Sequence, residues 1–271
     1  MDLKRVNQVV VVLSVVAAIL FGSGWIIEEF GASLELWGYT HVHGPLYAAA
    51  IGVCVPVILL GIYSRSLRDK AIVQLASLNN WEVKQNLGQA ELGFFGDFKS
   101  LGSADTSDLP ILRNATQLRN ALVDKHGFPH VIGVKTGSGK HSVMQTVYCF
   151  LNQFDSPVFQ MRKEGRLSKL GQMLASTVGA DKDIDVDEDK DFSDSFVLKG
   201  ADEEAIRALF VGSLRQYFSN QSTAQDWLIE SGQAVTIFYR HGKLAAPEVI
   251  VGERNECLVI QKKLDSYRQR I

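Results

Sequence analysis

Apolar positions crowd the front of this chain, and shorter alternating patterns follow behind. Residues 9–27 read VVVVLSVVAAILFGSGWII, and residues 44–63 form a second block of the same kind. Neither block carries an Asp, Glu, Lys or Arg. Each is long enough to cross a hydrocarbon core of about 30 Å as a helix, and strands are normally far shorter than such a run. A cleaved signal peptide has an apolar region of about 7–15 residues and a small-residue cleavage site. The first block is longer and a second follows, so the pair reads as an uncleaved transmembrane hairpin over residues 1–63. Gly44-Pro45 is expected to open the second helix, where a Pro costs little, and Pro56 to kink it. Small residues recur every fourth position at Ser14, Ala18 and Gly22, and again at Ala48 and Gly52. That spacing suits packing of the two spans on each other, or dimerisation through the same stripe.

Basic residues set the orientation. Lys4 and Arg5 precede the first span, while Arg65, Arg68 and Lys70 follow the second. The intervening loop, Glu28 to His43, has no Lys or Arg and carries Glu28, Glu29 and Glu35. The positive-inside bias puts both termini in the cytoplasm and makes the chain a multi-pass protein of the inner (plasma) membrane. The lipid bilayer is thus its first partner. With no intramembrane acid, base or Asn pair in the hairpin, a transport path is disfavoured.

Behind the hairpin, the helix is expected to run on through Ser66 to about Leu78 and stop before Asn79-Asn80, with Trp81 docking this linker onto the domain. Residues 87–108 are rich in Gly, Ser and Asp and read as a loose connection, so 64–109 is taken as linker. From Pro129 the period changes to that of strands. Runs at Val131–Thr136 and Ser142–Asn152 flank Thr136-Gly-Ser-Gly-Lys140, a hairpin signature. Further strands are expected at Pro157–Met161, Asp194–Leu198 and Ala234–Arg240, with a turn at Arg240-His-Gly-Lys243. One helix is expected from Ala201 to Phe218, its Asp202, Glu203 and Glu204 favourable at a positive N-terminus. A last helix runs from Pro247 to Arg270. It carries Cys257, Ile260 and Leu264 on one side, and Lys262, Lys263, Arg268 and Arg270 late, as cations suit a helix C-terminus; attraction of that end to anionic lipid is the alternative. The fold class is α+β: a cytosolic domain over 110–271 of antiparallel β-hairpins packed with helices, following two transmembrane helices.

Charge narrows the function classes. Two of the 28 basic and four of the 30 acidic residues lie in the first 63 positions, which leaves the rest balanced. A neutral domain does not suit nucleic acid. The three cysteines, Cys54, Cys149 and Cys257, form no CxxC or His/Cys cluster. Cys149 alternates with Val147 and Leu151, as a buried thiol would.

Several strings imitate known sites. GVKTGSGKHS (133–142) approaches a phosphate-binding loop, but five residues separate Gly133 from Gly139 where four are needed, and His141 replaces the Mg²⁺-binding Ser or Thr next to Lys140. It lies between strands, so no helix N-terminus faces a phosphate. Asp181–Asp191 (DKDIDVDEDKD) imitates a Ca²⁺ loop. Counted from Asp181, Val186 and Phe192 stand where Gly and Glu are required; counted from Asp183, Glu188 and Asp194 do. The run reads as a solvated acidic loop, with a non-standard divalent site as the alternative. His41 and His43 with the loop glutamates could ligate a transition metal only on an extended backbone; the loop reads instead as acidic and interfacial, with Trp25, Trp37 and Tyr39 as headgroup anchors. His126, His130, His141 and His241 are scattered near turns and read as surface residues. No HExxH, GxSxG or kinase set occurs. No catalytic or cofactor-binding residue is assigned, no cofactor is implied, and the metal question stays open.

Three stretches, TGSGKHSVMQTV (136–147), GADKDIDVDEDKDFSDSFVLKGADEEAIRALF (179–210) and VTIFYRHGKLAAPE (235–248), resemble a family of uncharacterised bacterial membrane proteins with an N-terminal two-helix membrane hairpin and a cytosolic α+β domain. The resemblance implies that the TGSGK turn and the acidic run are structural parts of one domain, and it transfers no activity or ligand. The expected role is a membrane-anchored cytosolic module for protein interaction or self-association. The alternative is an enzyme or small-ligand or metal sensor whose site lies outside local motifs.

Overall fold

A computed structural model of the chain describes residues 8–9, 11–16, 19, 39–87, 109–164, 182–184 and 189–269. It divides into two compact units, Met1–Ile72 and Val73–Ile271.

In the first unit, residues 8, 9, 11–16 and 19 are helical; the rest of the expected first span, the acidic loop through residue 38, and Glu28, Glu29 and Glu35 lie outside the described residues. Helix α1, Tyr39–Leu78, is 40 residues long and crosses the division into the second unit. At 1.5 Å per residue it is about 60 Å long. It ends where expected, at Leu78, and Asn80 then takes a positive φ of 55°. Its start differs from expectation. Residues 39–43 belong to the helix and not to a loop, and Pro45 sits inside it. The ring holds φ at a helical value, so the helix can pass Pro45 and Pro56 at the loss of one backbone hydrogen bond each.

The second unit is a nine-stranded sheet, antiparallel at every pairing, in the order β1-β2-β3-β4-β9-β8-β5-β7-β6. Its strands are β1 Glu82–Leu87, β2 Ala115–Val123, β3 Pro129–Thr136, β4 Val143–Leu151, β5 Phe159–Lys163, β6 Lys182–Asp183, β7 Phe196–Gly200, β8 Leu228–Ser231 and β9 Val235–Tyr239. The helices are α2 Pro110–Arg113, α3 Lys190–Ser193, α4 Glu203–Leu209, α5 Gly212–Asn220, α6 Ser222–Gln225 and α7 Pro247–Arg268. The fold is α+β with an antiparallel sheet. Because β1 pairs with β2, the sheet begins inside the stretch expected to be linker; residues 88–108 lie outside the described residues.

The β3–β4 hairpin forms as its alternation predicts. The TGSGK link turns through Gly137 and Gly139 at φ 74° and 56°, and a Cβ on Gly137 would stand 2.7 Å from the His141 carbonyl oxygen. Strands β4 and β9 are the centre of the sheet, with Val147 opposite Tyr239 and Cys149 opposite Ile237. Those four side chains join Leu109, Ile111, Leu112, Ile132 and Val134 in a buried apolar cluster. On strands the side chains alternate between faces, so Tyr148, Phe150, Phe238 and Arg240 face the other way. There Tyr148 meets Trp227 edge-on at 5.5 Å, and α7 supplies polar partners.

Three expected elements of this unit change, the first being β5, which forms at Phe159–Lys163 and not at Pro157–Met161. The helix drawn from Ala201 to Phe218 is two helices, α4 and α5, broken at Phe210-Val211, where Val211 is extended (φ −66°, ψ 163°). The break lets Leu209, Phe210 and Leu214 all be buried. Phe210 enters an aromatic cluster with Phe159 at 5.1 Å and Phe192 and Phe218 at 6.1 Å. Strand β7 starts at Phe196, two residues later than expected, because Asp194 caps α3.

Candidate functional site

One face of α1 is the most unusual surface among the described residues. Ile51, Val55, Ile58, Leu59 and Ile62 are each more than half exposed, and Tyr63 nearly so. Their spacing of three, four and seven places them on one side of a helix. A soluble surface scatters such residues singly; a continuous stripe marks an interface or a membrane. Within α1, residues 51–78 are long and apolar enough to cross a membrane; the most apolar part of that stretch is unburied, while Ile72 and Ala76 near its end are buried. This is a statement of length and composition, and it holds for one helix among the described residues. Arg65, Ser66 and Lys70 are exposed beyond Tyr63. Cys54 lies in the same helix, half-buried and unpaired.

In the sheet domain, α7 is bound to the sheet by three polar clusters. The first centres on Glu253. Tyr148 donates its hydroxyl to Oε2 at 2.6 Å, Arg240 donates to Oε1 at 2.7 Å, and Lys243 lies 3.3 Å from the same oxygen. The Arg240 guanidinium also stands 3.9 Å over the Trp227 ring. Burial, then the Glu253 bond, push the Tyr148 phenol far up, so it stays a donor.

The second cluster centres on Arg268, whose side chain is wholly buried. Its Nη1 donates to Asp265 Oδ1 at 2.8 Å and Asn152 Oδ1 at 3.0 Å, and its Nη2 to Ser231 Oγ and Thr236 Oγ1 at 2.9 Å each. Gln261 Nε2 reaches Asn152 and Asp265 as well. Arg268, expected with the other late cations to complement the helix dipole or to attract anionic lipid, is buried against the sheet. Lys262 is exposed, Lys263 lies over the Tyr217 and Tyr267 rings, and Arg270 lies outside the described residues.

The third cluster is Asp124, His130 and Arg254. Asp124 Oδ1 accepts from the backbone N–H of His126 and Phe128, at 2.8 and 3.0 Å, and its Oδ2 lies 3.3 Å from His130 Nε2. Arg254 Nη2 lies 3.1 Å from His130 Nδ1. A guanidinium only donates, so Nδ1 is the acceptor and the imidazole proton sits on Nε2, facing Asp124. Burial, then Arg254, lower the His130 pKa against the opposing pull of Asp124. Trp81 flanks the ring at 5.7 Å, and Arg254 lies 5.5 Å over Trp81 and 5.3 Å over Phe150. Trp81 thus joins the domain through this cluster. His130 is half-buried and partnered, not the surface residue expected.

No protein-family model matches this chain, and no curated protein matches it. Among solved structures, the mycobacterial trehalose monomycolate transport factor A, TtfA, is similar at 9% identity and a TM-score of 0.44, over 73% of this chain and 92% of that one. A likeness of that degree carries no argument about activity or fold.

The remaining candidates fall apart spatially. Lys140 and His141 are exposed in the β3–β4 link, which joins two strands as expected. His126 is exposed, and His241 is half-buried with its pKa lowered by burial. Cys149 is fully buried, and burial raises its thiol well above the usual range. His41 and His43 lie in helical backbone, where positions two apart do not share a face. In the acidic run, Asp183 pairs with Lys199 at 2.9 Å, and Asp189 caps α3 by accepting from the Phe192 N–H while lying 3.4 Å from Arg215. Residues 181 and 185–188 lie outside the described residues. Among those described, no group of three or more His, Cys, Asp and Glu side chains could hold a metal ion.

Proposed function

We propose that this chain is an integral protein of the inner (plasma) membrane whose sheet domain is a cytosolic module for protein interaction or self-association. Two helices at about 9–27 and 44–63 anchor it, and both termini are cytoplasmic. The observation that carries the reading is the exposed stripe from Ile51 to Ile62. In water, leaving such side chains exposed forgoes about 1.5–3 kcal/mol each relative to burial; lipid removes that penalty without a protein partner. The loop between the spans lacks Lys and Arg while both flanks carry them, which supports the stated orientation.

The experiment uses the full chain in its own membranes. After an alkaline carbonate wash the protein should stay in the pellet and leave only with detergent. A folded, undegraded protein in the supernatant overturns the anchor. Chemical cross-linking in the same membranes tests the module. A discrete cross-linked species of fixed mass is expected, and a chain that runs only as a monomer over a wide range of cross-linker overturns that half of the reading.

A further inference from the structure

The exposed stripe of α1 does not fade into a polar surface; it is followed by two exposed basic residues, five positions and so about 140° apart round the helix. Ile51, Val55, Ile58 and Ile62 are followed by Arg65 at the next position of their row, and Tyr63 leads through Ser66 to Lys70. Both basic residues are exposed. Arg68 and Asp69 next to them have partners of their own, and the four residues together carry two net positive charges.

The axial distances fit one layer of a bilayer. At 1.5 Å per residue, Arg65 stands about 4.5 Å past Ile62, and Lys70 about 10 Å past Tyr63. The polar headgroup region adds about 5–8 Å on each side of the hydrocarbon core. Side chains of a helix tilt toward its N-terminus, here back toward the apolar stripe. A lysine stem of that length spans the remaining gap while its ammonium stays hydrated.

We infer that Arg65 and Lys70 each hold the phosphodiester of an anionic phospholipid of the phosphatidylglycerol type, on two sides of the helix, with Tyr63 at the hydrocarbon boundary. This rests on the proposed membrane anchoring. Arginine suits the phosphate because its planar fork donates in pairs, and lysine adds a point charge. A juxtamembrane basic residue strengthens attraction to an anionic leaflet by about fivefold.

The test reconstitutes the full chain in phosphatidylcholine vesicles containing a trace of spin-labelled phosphatidylglycerol or spin-labelled phosphatidylcholine. Flotation first shows whether the chain enters the bilayer. Chain that stays out defeats both readings. For chain that enters, phosphatidylglycerol should associate about fivefold or more over phosphatidylcholine. The variant R65Q/K70Q should lose most of that preference, as should the wild type in high salt. Equal association of the two lipids with an inserted wild type, or an unchanged preference in the inserted variant, overturns the headgroup binding and leaves the anchor standing.

Discussion

The Arg268 guanidinium is held by oxygens from three parts of the chain: Asp265 on its own helix, Asn152 just after β4, and Ser231 and Thr236 on β8 and β9. Burial alone lowers its pKa, and Asp265 opposes that. Such a pair is stable only while complete. The substitution R268M leaves Asp265, itself buried, without its cation, and should cost about 3–5 kcal/mol. Adding D265L removes the second charge and should recover most of the loss, since a buried pair and an apolar pair of similar volume are often close in stability. Chemical denaturation of the two variants checks this; a double variant no better than R268M would show that the charges themselves are not what matters. The sequence did contain a signal for this residue. Arg268 lies four positions after Leu264 and eleven after Cys257, so the helical period puts it on the buried face, and only the habit of reading late cations as dipole complements hides it.

His130 gives the fold a pH dependence of definite sign. Its folded pKa lies below the unfolded value of 6.5, so the unfolded chain binds the proton first as pH falls. The stability that neutral His130 contributes is complete above 6.5 and is lost as pH falls below it toward the folded pKa. A proton on Nδ1 also breaks the Arg254 bond and sets two cations together, with Asp124 on the opposite side of the ring. The thermal midpoint of the full chain in detergent should therefore drop between pH 7 and 5. His241 adds a decline of the same sign. In H130Q, whose amide oxygen can still accept from Arg254, the decline should be shallower; identical slopes would remove His130 as the cause.

At the scale of elements, α1 is a test of medium rather than of packing. Its apolar face is exposed, and among the described residues nothing lies within 4 Å of where a Cβ on Gly52 or Gly61 would stand. The expected packing through small residues thus finds no partner at Gly52 among those described. Lysine near the centre of a membrane helix costs about 2.5–3.5 kcal/mol on an insertion scale. The double substitution I58K/L59K should therefore move a large share of the chain out of the carbonate-resistant pellet. Retention equal to wild type would mean that this face meets protein or water.

The elements differed in legibility for physical reasons. Strands β3, β4 and β9 announce themselves because each carries β-branched and aromatic residues beside a Gly-containing turn: Val131-Ile132, Val147–Phe150 and Val235–Tyr239. β2 does not, because its register shifts between Arg119 and Leu122 and Asn120 sits there at φ 49°, which breaks the alternation. β8 is only Leu228–Ser231, with Glu230 and Ser231 buried as polar groups. Glu230 is buried because Tyr239 and the Ile111 N–H both donate to it, at 2.7 and 3.1 Å, partners that no local window contains. The same holds for His130 and Arg254, which are 124 positions apart. The cation that completes the Asp124–His130 pair comes from α7, out of reach of any local pattern.

At the scale of the whole molecule, the sheet is assembled from pieces distant in sequence: β4 pairs with β9, and β5 is inserted between β8 and β7. Hairpins can be read locally, but this order cannot. What the sequence orders better is the chain relative to a bilayer. Lys4 and Arg5 precede the first apolar block and Arg65, Arg68 and Lys70 follow the second, with no basic residue between. On the proposed reading two crossings put the flanks on one side, and the excess of Lys and Arg there favours the cytoplasm. A fluorescent protein fused after Ile271 should therefore mature and fluoresce, while an exported alkaline phosphatase at the same site should stay inactive. A second phosphatase fusion at Gly31, between the two proposed spans, should be active. Activity at Ile271 with none at Gly31 would invert the topology. Activity at both would mean a single crossing by the first block; the arginines of α1 would then face the other leaflet, and the orientation assigned from basic residues would fail.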